Sequence, residues 1–251
     1  MSFSDCHCHL ETYQPELLGQ VLKEAREKHV DIMVSMGSSL KSSAKTVELA
    51  QSFEGVVAAV GIHPWWPVEP TNDIRRQLSE LAKKKHVVAI GEIGLDYAQN
   101  PQTKDVQREV LIYQLSLARE RDLPVNIHCI EAHQDMMNIL RTETCSGLKG
   151  VIHAFSDNLA ELKDWLDLGF YVSFGVRGFV TNEIASLKAV AHETPSDRLL
   201  TETDSLSLPN QQLGEPADVV SVVQKLASIR GANVEDIADI TSANLKRLFK
   251  L

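Results

Sequence analysis

Histidines and carboxylates that could bind divalent metal ions recur along the sequence. The first pair, His7 and His9, lies in the segment DCHCHL, where the alternation of a β-strand puts both imidazoles on the same face as Asp5. The others stand at or just beyond short apolar runs: His63, Glu92, His128, His153 and Asp204. Imidazole nitrogens and carboxylate oxygens suit a pair of divalent ions that leave open positions for water. These residue types therefore predict metal-dependent hydrolysis.

Short apolar runs alternate with amphipathic, charged stretches along the whole chain, which is typical of βα units. We predict eight strands, near residues 3–9, 31–36, 56–62, 87–93, 124–129, 150–154, 170–174 and 198–202. The predicted helices include 15–28, 42–52, 72–85, 103–121, 159–168 and 215–229. At about 31 residues per unit, the pattern favours a closed (β/α)8 TIM barrel over an open doubly wound sheet. Because no linker or change of composition interrupts residues 1–251, we expect a single domain.

The spacing of the candidate ligands matches these units. About one unit separates the successive members of one series: His63, Glu92, His128 and His153. Since all strands of a parallel barrel end on the same rim, these side chains are expected to meet in one pocket. We expect one ion on His7, His9, Glu92 and Asp204, and a second on Glu92, His128 and His153. Glu92 then bridges the two ions, and Asp204 is placed to accept the proton of the attacking water.

Several segments together resemble the TatD family of metal-dependent hydrolases: DCHCHL, GIHP, GEIGLDY, IHC, HAFS, SDRLLTETDS and ANLKRLF. The resemblance runs nearly end to end. It implies an amidohydrolase-like barrel, divalent metal ions and deoxyribonuclease activity, notably 3′→5′ removal of nucleotides from DNA. Carried over position by position, it implies the same six metal ligands and puts His63 beside the phosphate or the leaving group. The implied substrate is DNA or a small phosphodiester.

Three positions depart from the pattern of that family, and all concern the substrate more than the metal. Ile130 stands where many members carry a basic residue, Asp157 replaces a glycine and Leu206 replaces a proline. Loss of the basic residue removes a bidentate donor to phosphate. Arg177, just beyond the seventh predicted strand, is the candidate replacement and a candidate substrate-binding residue.

Two other functions compete with a phosphodiesterase. One is an amidohydrolase or lactonase acting on a small C–N or C–O ester substrate in the same barrel, where a carbamylated lysine commonly occupies the strand-four position; Glu92 argues against it. The other is a non-catalytic barrel, which would have lost ligands, whereas all six are present. The mixed ligand set suits zinc or manganese, while magnesium prefers oxygen ligands, so the metal could be Zn, Mg or Mn.

Residues beside the candidate ligands have both functional and structural interpretations. Trp65 and Trp66 could stack on a nucleobase or pack against the protein. Asp96 could orient a ligand histidine or cap a helix. Cys6 and Cys8 point away from the ligand face of their strand, so small buried apolar side chains are expected there.

Composition sets limits on partners and location. With 25 Lys and Arg against 34 Asp and Glu, the net charge of −9 opposes broad binding to a nucleic-acid backbone. The four cysteines form no CxxC pair, and the first residues show no signal sequence, so we expect a cytoplasmic protein. No membrane association and no obligate protein partner are predicted.

Overall fold

The computed structural model describes residues 1–142, 145–181, 185–208 and 211–251. Its first eight strands are β1 Phe3–Cys8, β2 Val30–Met36, β3 Val56–Val60, β4 Val87–Asp96, β5 Val125–Ile130, β6 Gly150–Ile152, β7 Tyr171–Phe174 and β8 Leu199–Thr201. The helices are α1 Pro15–Glu27, α2 Leu40–Ser52, α3 Asn72–Ala82, α4 Lys104–Arg121, α5 His133–Leu140, α6 Leu159–Asp167, α7 Ala185–Glu193, α8 Val219–Arg230 and α9 Val234–Phe249. A short antiparallel pair, β9 Leu206–Leu208 and β10 Gln211–Leu213, follows β8.

Strands β1 to β8 follow one another in chain order in one sheet, and the pairs with a described register are parallel. A doubly wound sheet would instead reverse its strand order partway through. The order is that of a (β/α)8 barrel, which confirms the predicted fold class. Each predicted strand is present, and the structure adds α5, α7, α9 and the β9–β10 pair to the predicted elements.

The chain divides into two compact units: a first unit of residues 1–35 and 153–251, and a second unit of residues 36–152. The assignment of 1–251 to one domain stays a prediction. None of the described helices is both long enough and apolar enough to cross a membrane.

In the first unit, β8 lies beside β1 and α9 fixes both. The hydroxyl of Thr201 donates to the Ser4 carbonyl at 3.2 Å. The buried side-chain amide of Asn244 on α9 donates to the Leu199 carbonyl, where β8 begins, at 2.9 Å. These bonds satisfy buried backbone groups that would otherwise cost about 1–3 kcal/mol each. The ends of β1 and β8 are thereby held together.

In the second unit, two glutamines on one face of α4 tether the ends of β3 and β4. The backbone N–H of Ile62 donates to Gln114 Oε1 at 2.7 Å, and Gln114 Nε2 donates back to the Ile62 carbonyl at 3.1 Å. Gln107 makes the same reciprocal pair with the backbone of Asp96, at 2.8 and 3.0 Å. A spacing of seven residues returns both glutamines to one helix face. Helix α4 therefore positions the residue before His63 and the last residue of β4.

Strand β4 runs past its predicted end at residue 93 to Asp96. Its pairing with β5 continues through Gly94, Leu95 and Asp96. A Cβ at Gly94 would come within 1.8 Å of the His128 carbonyl oxygen, so only glycine permits this close approach of the two strands. This pairing places Gly94 opposite His128 in the register of β4 and β5.

Candidate metal centre

The first unit brings together His7, His9 and Asp204, three predicted ligands. His7 Nε2 and His9 Nε2 lie 3.3 Å apart, and Asp204 Oδ1 lies 3.6 Å from each of them. His7 is fully buried, and Asp204 is 9% exposed. Two imidazoles and a carboxylate that face one point form a group able to hold one metal ion.

Asp5 supports this group from behind. Its Oδ1 accepts from the backbone N–H groups of His7 and Thr203 at 3.1 and 3.0 Å, and its Oδ2 accepts from the Thr203 hydroxyl at 2.5 Å. Burial raises the pKa of Asp5 to about 8 despite these bonds. Asp5 thus links β1 to Thr203, the residue before Asp204.

His153 joins the first unit at the end of β6. Its ring stacks on that of His7 with centroids 4.0 Å apart. Its Nδ1 lies 3.4 Å from Oε1 of the fully buried Glu202, which also accepts from the Ala154 N–H at 2.8 Å and from the Ser173 hydroxyl. Sequence analysis missed Glu202. Its signal was an acidic residue directly after Leu199–Thr201, a strand that is buried on both faces.

Asp204 carries its negative charge in this environment. Burial raises its pKa, but the hydrogen bond with His9 and the charges of His7 and His153 outweigh burial, so the pKa is held below its usual range. The guanidinium of Arg177, on the turn Val176–Thr181 after β7, donates to Asp204 Oδ2. An ionised carboxylate is the form that a metal ion requires.

The second unit brings together His63, Glu92 and His128. Glu92 Oε1 lies 3.0 Å from both His63 Nε2 and His128 Nδ1, and all three side chains are buried. His63 lies just beyond the end of β3, Glu92 in the middle of β4, and His128 in β5. This group could also hold one metal ion. His63, predicted as a substrate contact, lies among the potential ligands of its unit.

Asp96 orients His128 from the opposite side of the ring. Its Oδ2 lies 3.0 Å from His128 Nε2, while its Oδ1 accepts from the N–H groups of Ala98 and Gln99. Burial raises the pKa of Asp96, but the hydrogen bond with His128 and the backbone bond outweigh it and hold the pKa below its usual range. The ionised Asp96 can only accept, so the proton of a neutral His128 belongs on Nε2. Nδ1 then keeps its lone pair beside Glu92. Asp96 is thus placed to orient His128, whereas the cap interpretation was wrong: its bonds to Ala98 and Gln99 close a turn after β4, and Asn100 is the N-cap of the next helix, Pro101–Thr103.

Cysteines lie outside these groups in the described part of the chain. Cys6 and Cys8 are fully buried, and burial raises the pKa of each thiol well above its ordinary value. A protonated buried thiol is a poor metal ligand and packs as a small apolar side chain. Ile130, at the position of the missing basic residue, is 37% exposed.

Comparisons with known proteins identify a family for the chain. The family described as TatD related DNase matches residues 4–250. The metal-dependent hydrolase YabD of Bacillus subtilis is 35% identical over 253 residues, covering 98% of each chain. The 3′-5′ ssDNA/RNA exonuclease TatD of Pantoea ananatis is 34% identical over 243 residues, covering 92% of this chain and 93% of its own.

The solved structures lead to the same family. The crystal structure of YJJV, a TatD homologue from Escherichia coli K12, superimposes with a TM-score of 0.89 at 27% identity, covering 99% of this chain and 98% of that one. The family match spans nearly the whole sequence, and the predicted ligands lie in the C-terminal halves of the strands or just beyond them, on the side where barrels of this kind carry their active sites. The chain therefore belongs to the TatD family and is a metal-dependent hydrolase.

Proposed function

We propose that this protein removes nucleotides from the 3′ end of single-stranded nucleic acid by hydrolysing phosphodiester bonds. The observation that carries the proposal is the pair of ligand groups, His7–His9–Asp204 and His63–Glu92–His128, each with donor atoms within 4.8 Å of one another and all buried except the partly exposed His9. The relative named as a 3′-5′ ssDNA/RNA exonuclease supports the choice of substrate.

The donor sets fit divalent ions. Each group offers two imidazoles and one carboxylate, a mixture that suits zinc or manganese better than magnesium. Bound ions would act as Lewis acids on the phosphate and on the attacking water. We propose two ions, one for each group, with His153 as a further ligand. The sharing of Glu92 between the ions stays a prediction.

The protein's own side chains divide the remaining work. Asp204 is held ionised, so one of its oxygens is proposed to take the proton of the attacking water. His63, whose Nε2 faces Glu92, is proposed to contact the phosphate or the leaving oxygen. Arg177 has a half-exposed side chain that already binds a carboxylate, and its guanidinium is proposed to bind a phosphate oxygen.

The amidohydrolase or lactonase alternative has less support. Glu92 stands at the strand-four position where such an enzyme of this barrel commonly carries a carbamylated lysine. The cytoplasmic location stays a prediction, as does the choice between DNA and a small phosphodiester as natural substrate.

A substrate panel tests the function directly. The metal-stripped protein is resupplied with Mn²⁺, Zn²⁺ or Mg²⁺ and given 5′-labelled single-stranded DNA, a small phosphodiester, a lactone and an amide. We expect a ladder of labelled DNA products that shortens from the 3′ end. If the protein hydrolyses only the lactone or the amide, the proposed phosphodiesterase activity is refuted. If DNA with a blocked 3′ end gives the same amount of product, the proposed removal of nucleotides from the 3′ end is refuted.

A further inference from the structure

Two tryptophans, Trp65 and Trp66, follow the metal-capable His63, which lies just beyond the end of β3. Trp65 is 44% exposed and Trp66 is 65% exposed, so large aromatic surfaces lie in solvent immediately after His63. The third tryptophan of the chain, Trp165, is fully buried. Exposure of such side chains beside a functional site points to an interaction that covers them.

The backbone that carries the pair is fixed to His63. The N–H of Trp66 donates to the His63 carbonyl at 3.1 Å, which closes a four-residue turn, and the N–H of Trp65 donates to His63 Nδ1 at 3.0 Å. Pro64 occupies the second position of that turn, where its fixed φ is favourable, and Pro67 follows. The aromatic pair is therefore held on a stiff segment, so binding a ligand there orders little chain.

Trp65 is further anchored by its side chain. Its indole N–H donates to Asp96 Oδ2 at 2.5 Å, its carbonyl accepts from the Asn100 amide at 3.1 Å, and its ring lies edge-on to that of His63 at 5.0 Å. Asp96 is the carboxylate that orients His128. Trp65 thus ties the turn to the ligand group, and Trp66 presents the larger solvent-facing surface.

We propose that Trp66 is the surface on which a nucleobase of single-stranded DNA stacks, with Trp65 as its positioning residue. The proposal rests on the nucleic-acid substrate proposed above and names the subsite that holds it. The net charge of −9 gives little general attraction to a phosphate backbone, so affinity must come from local contacts. Base stacking on an exposed indole supplies such a contact without regard to sequence.

The test compares binding of two probes to metal-supplemented protein. One is a hydrolysis-resistant phosphorothioate dT oligonucleotide, and the other is an abasic oligonucleotide of the same length and backbone. We expect Trp66→Ala to weaken dT binding by about 5- to 150-fold, the usual range for one stacked base, and Trp66→Phe to retain most of the affinity. The abasic probe should bind the unaltered protein about as weakly as dT binds Trp66→Ala. Ile112→Ala, an exposed apolar side chain of α4, is the matched control and should change nothing.

Tryptophan fluorescence provides a second measurement. Since Trp165 is buried, the dT probe should quench emission from the exposed pair, and Trp66→Ala should lose most of that quenching. Equal affinity of Trp66→Ala and the unaltered protein for dT would overturn the stacking proposal, as would equal affinity of the unaltered protein for both probes.

Cleavage separates this failure from failure of the proposed function. If the unaltered protein shortens unmodified DNA while Trp66→Ala binds and cleaves equally well, only the stacking subsite is refuted. If the unaltered protein binds dT through Trp66 but cleaves no nucleic acid, the exonuclease proposal is refuted and the subsite stands.

Discussion

At the scale of single residues, the buried carboxylates around the candidate metal ligands each lie against hydrogen-bonding side chains. Glu92 faces two imidazoles, Asp96 faces one imidazole and one indole, and Glu202 faces His153 and a serine hydroxyl. Buried carboxylates without partners would be costly. The same pairs orient the histidine rings, as partners of metal-binding histidines commonly do.

Glu92 offers the sharpest test at this scale. Replacing it with glutamine keeps its size but removes the charge that faces His63 and His128, so we expect turnover to fall by about 100-fold or more and metal affinity to fall with it. Calorimetric metal titration and DNA hydrolysis measure the two effects. Glu109→Gln, on the exposed surface of α4, is the matched control. Unchanged turnover in Glu92→Gln would show that this carboxylate has no part in the site.

Asp135 gives a prediction about pH. The hydrogen bond with Arg108, followed by that with Tyr97, lowers the pKa of Asp135. A carboxyl whose pKa is lower in the folded state stabilises the fold above its unfolded pKa near 3.9, and the contribution is lost as the pH falls through the folded value.

The pair is partly exposed, so Asp135→Asn should reduce the free energy of unfolding by at most about 1 kcal/mol at pH 7. The difference from the unaltered protein should narrow between pH 5 and pH 3, as measured by urea unfolding. A difference that grows as the pH falls would contradict the ion pair.

At the scale of elements, α4 holds in place the backbone that carries candidate site residues. Its buried glutamines satisfy the backbone at the ends of β3 and β4, next to His63 and at Asp96. Those strand ends have no ladder partner for these groups, so a side chain must supply it. An amphipathic pattern predicts the helix, but only the structure shows that two of its inward positions must be polar.

Gln114→Leu tests this connection. The change keeps the volume but leaves the N–H and C=O of Ile62 buried without a partner, so we expect a loss of at least about 2 kcal/mol in the free energy of unfolding. Gln134→Leu, exposed on α5, should stay within about 0.5 kcal/mol. Chemical denaturation measures both variants, and equal stability of the two would show that Gln114 is not needed to position β3.

At the scale of the whole molecule, the candidate ligands come from β1, β4 and β5 and from the segments just after β1, β3, β6 and β8. A ligand that binds only the folded chain stabilises it, by about 2.7 kcal/mol per site at a concentration 100 times the dissociation constant. For a domain of this size, that shift corresponds to a rise in Tm of about 5–10 °C. We therefore expect stripping with a chelator to lower Tm, and Mn²⁺ or Zn²⁺ to restore it.

Two histidine variants control this measurement. His128→Ala should lose most of the rise in Tm that metal produces, whereas His192→Ala, exposed on α7, should keep all of it. A metal-induced rise that is the same in both variants would place the ion elsewhere.

The sequence by itself determined the fold class, the strands and the candidate ligands. The periodicity of a strand and the length of a βα unit depend on residues close together in the sequence. In a parallel barrel, residues spaced by whole units then lie on the same rim. Motif resemblance identified the family on the same residues. The roles of the ligands stay predictions because no metal or substrate contact follows from spacing alone.

Only the tertiary structure decided which groups support the ligands. Glu202 behind His153, Gln107 and Gln114 on α4, and the bond between Trp65 and Asp96 all join residues far apart in the chain. Such pairs have no fixed sequence interval, because burial and the need to satisfy buried polar groups select them after the strands have assembled.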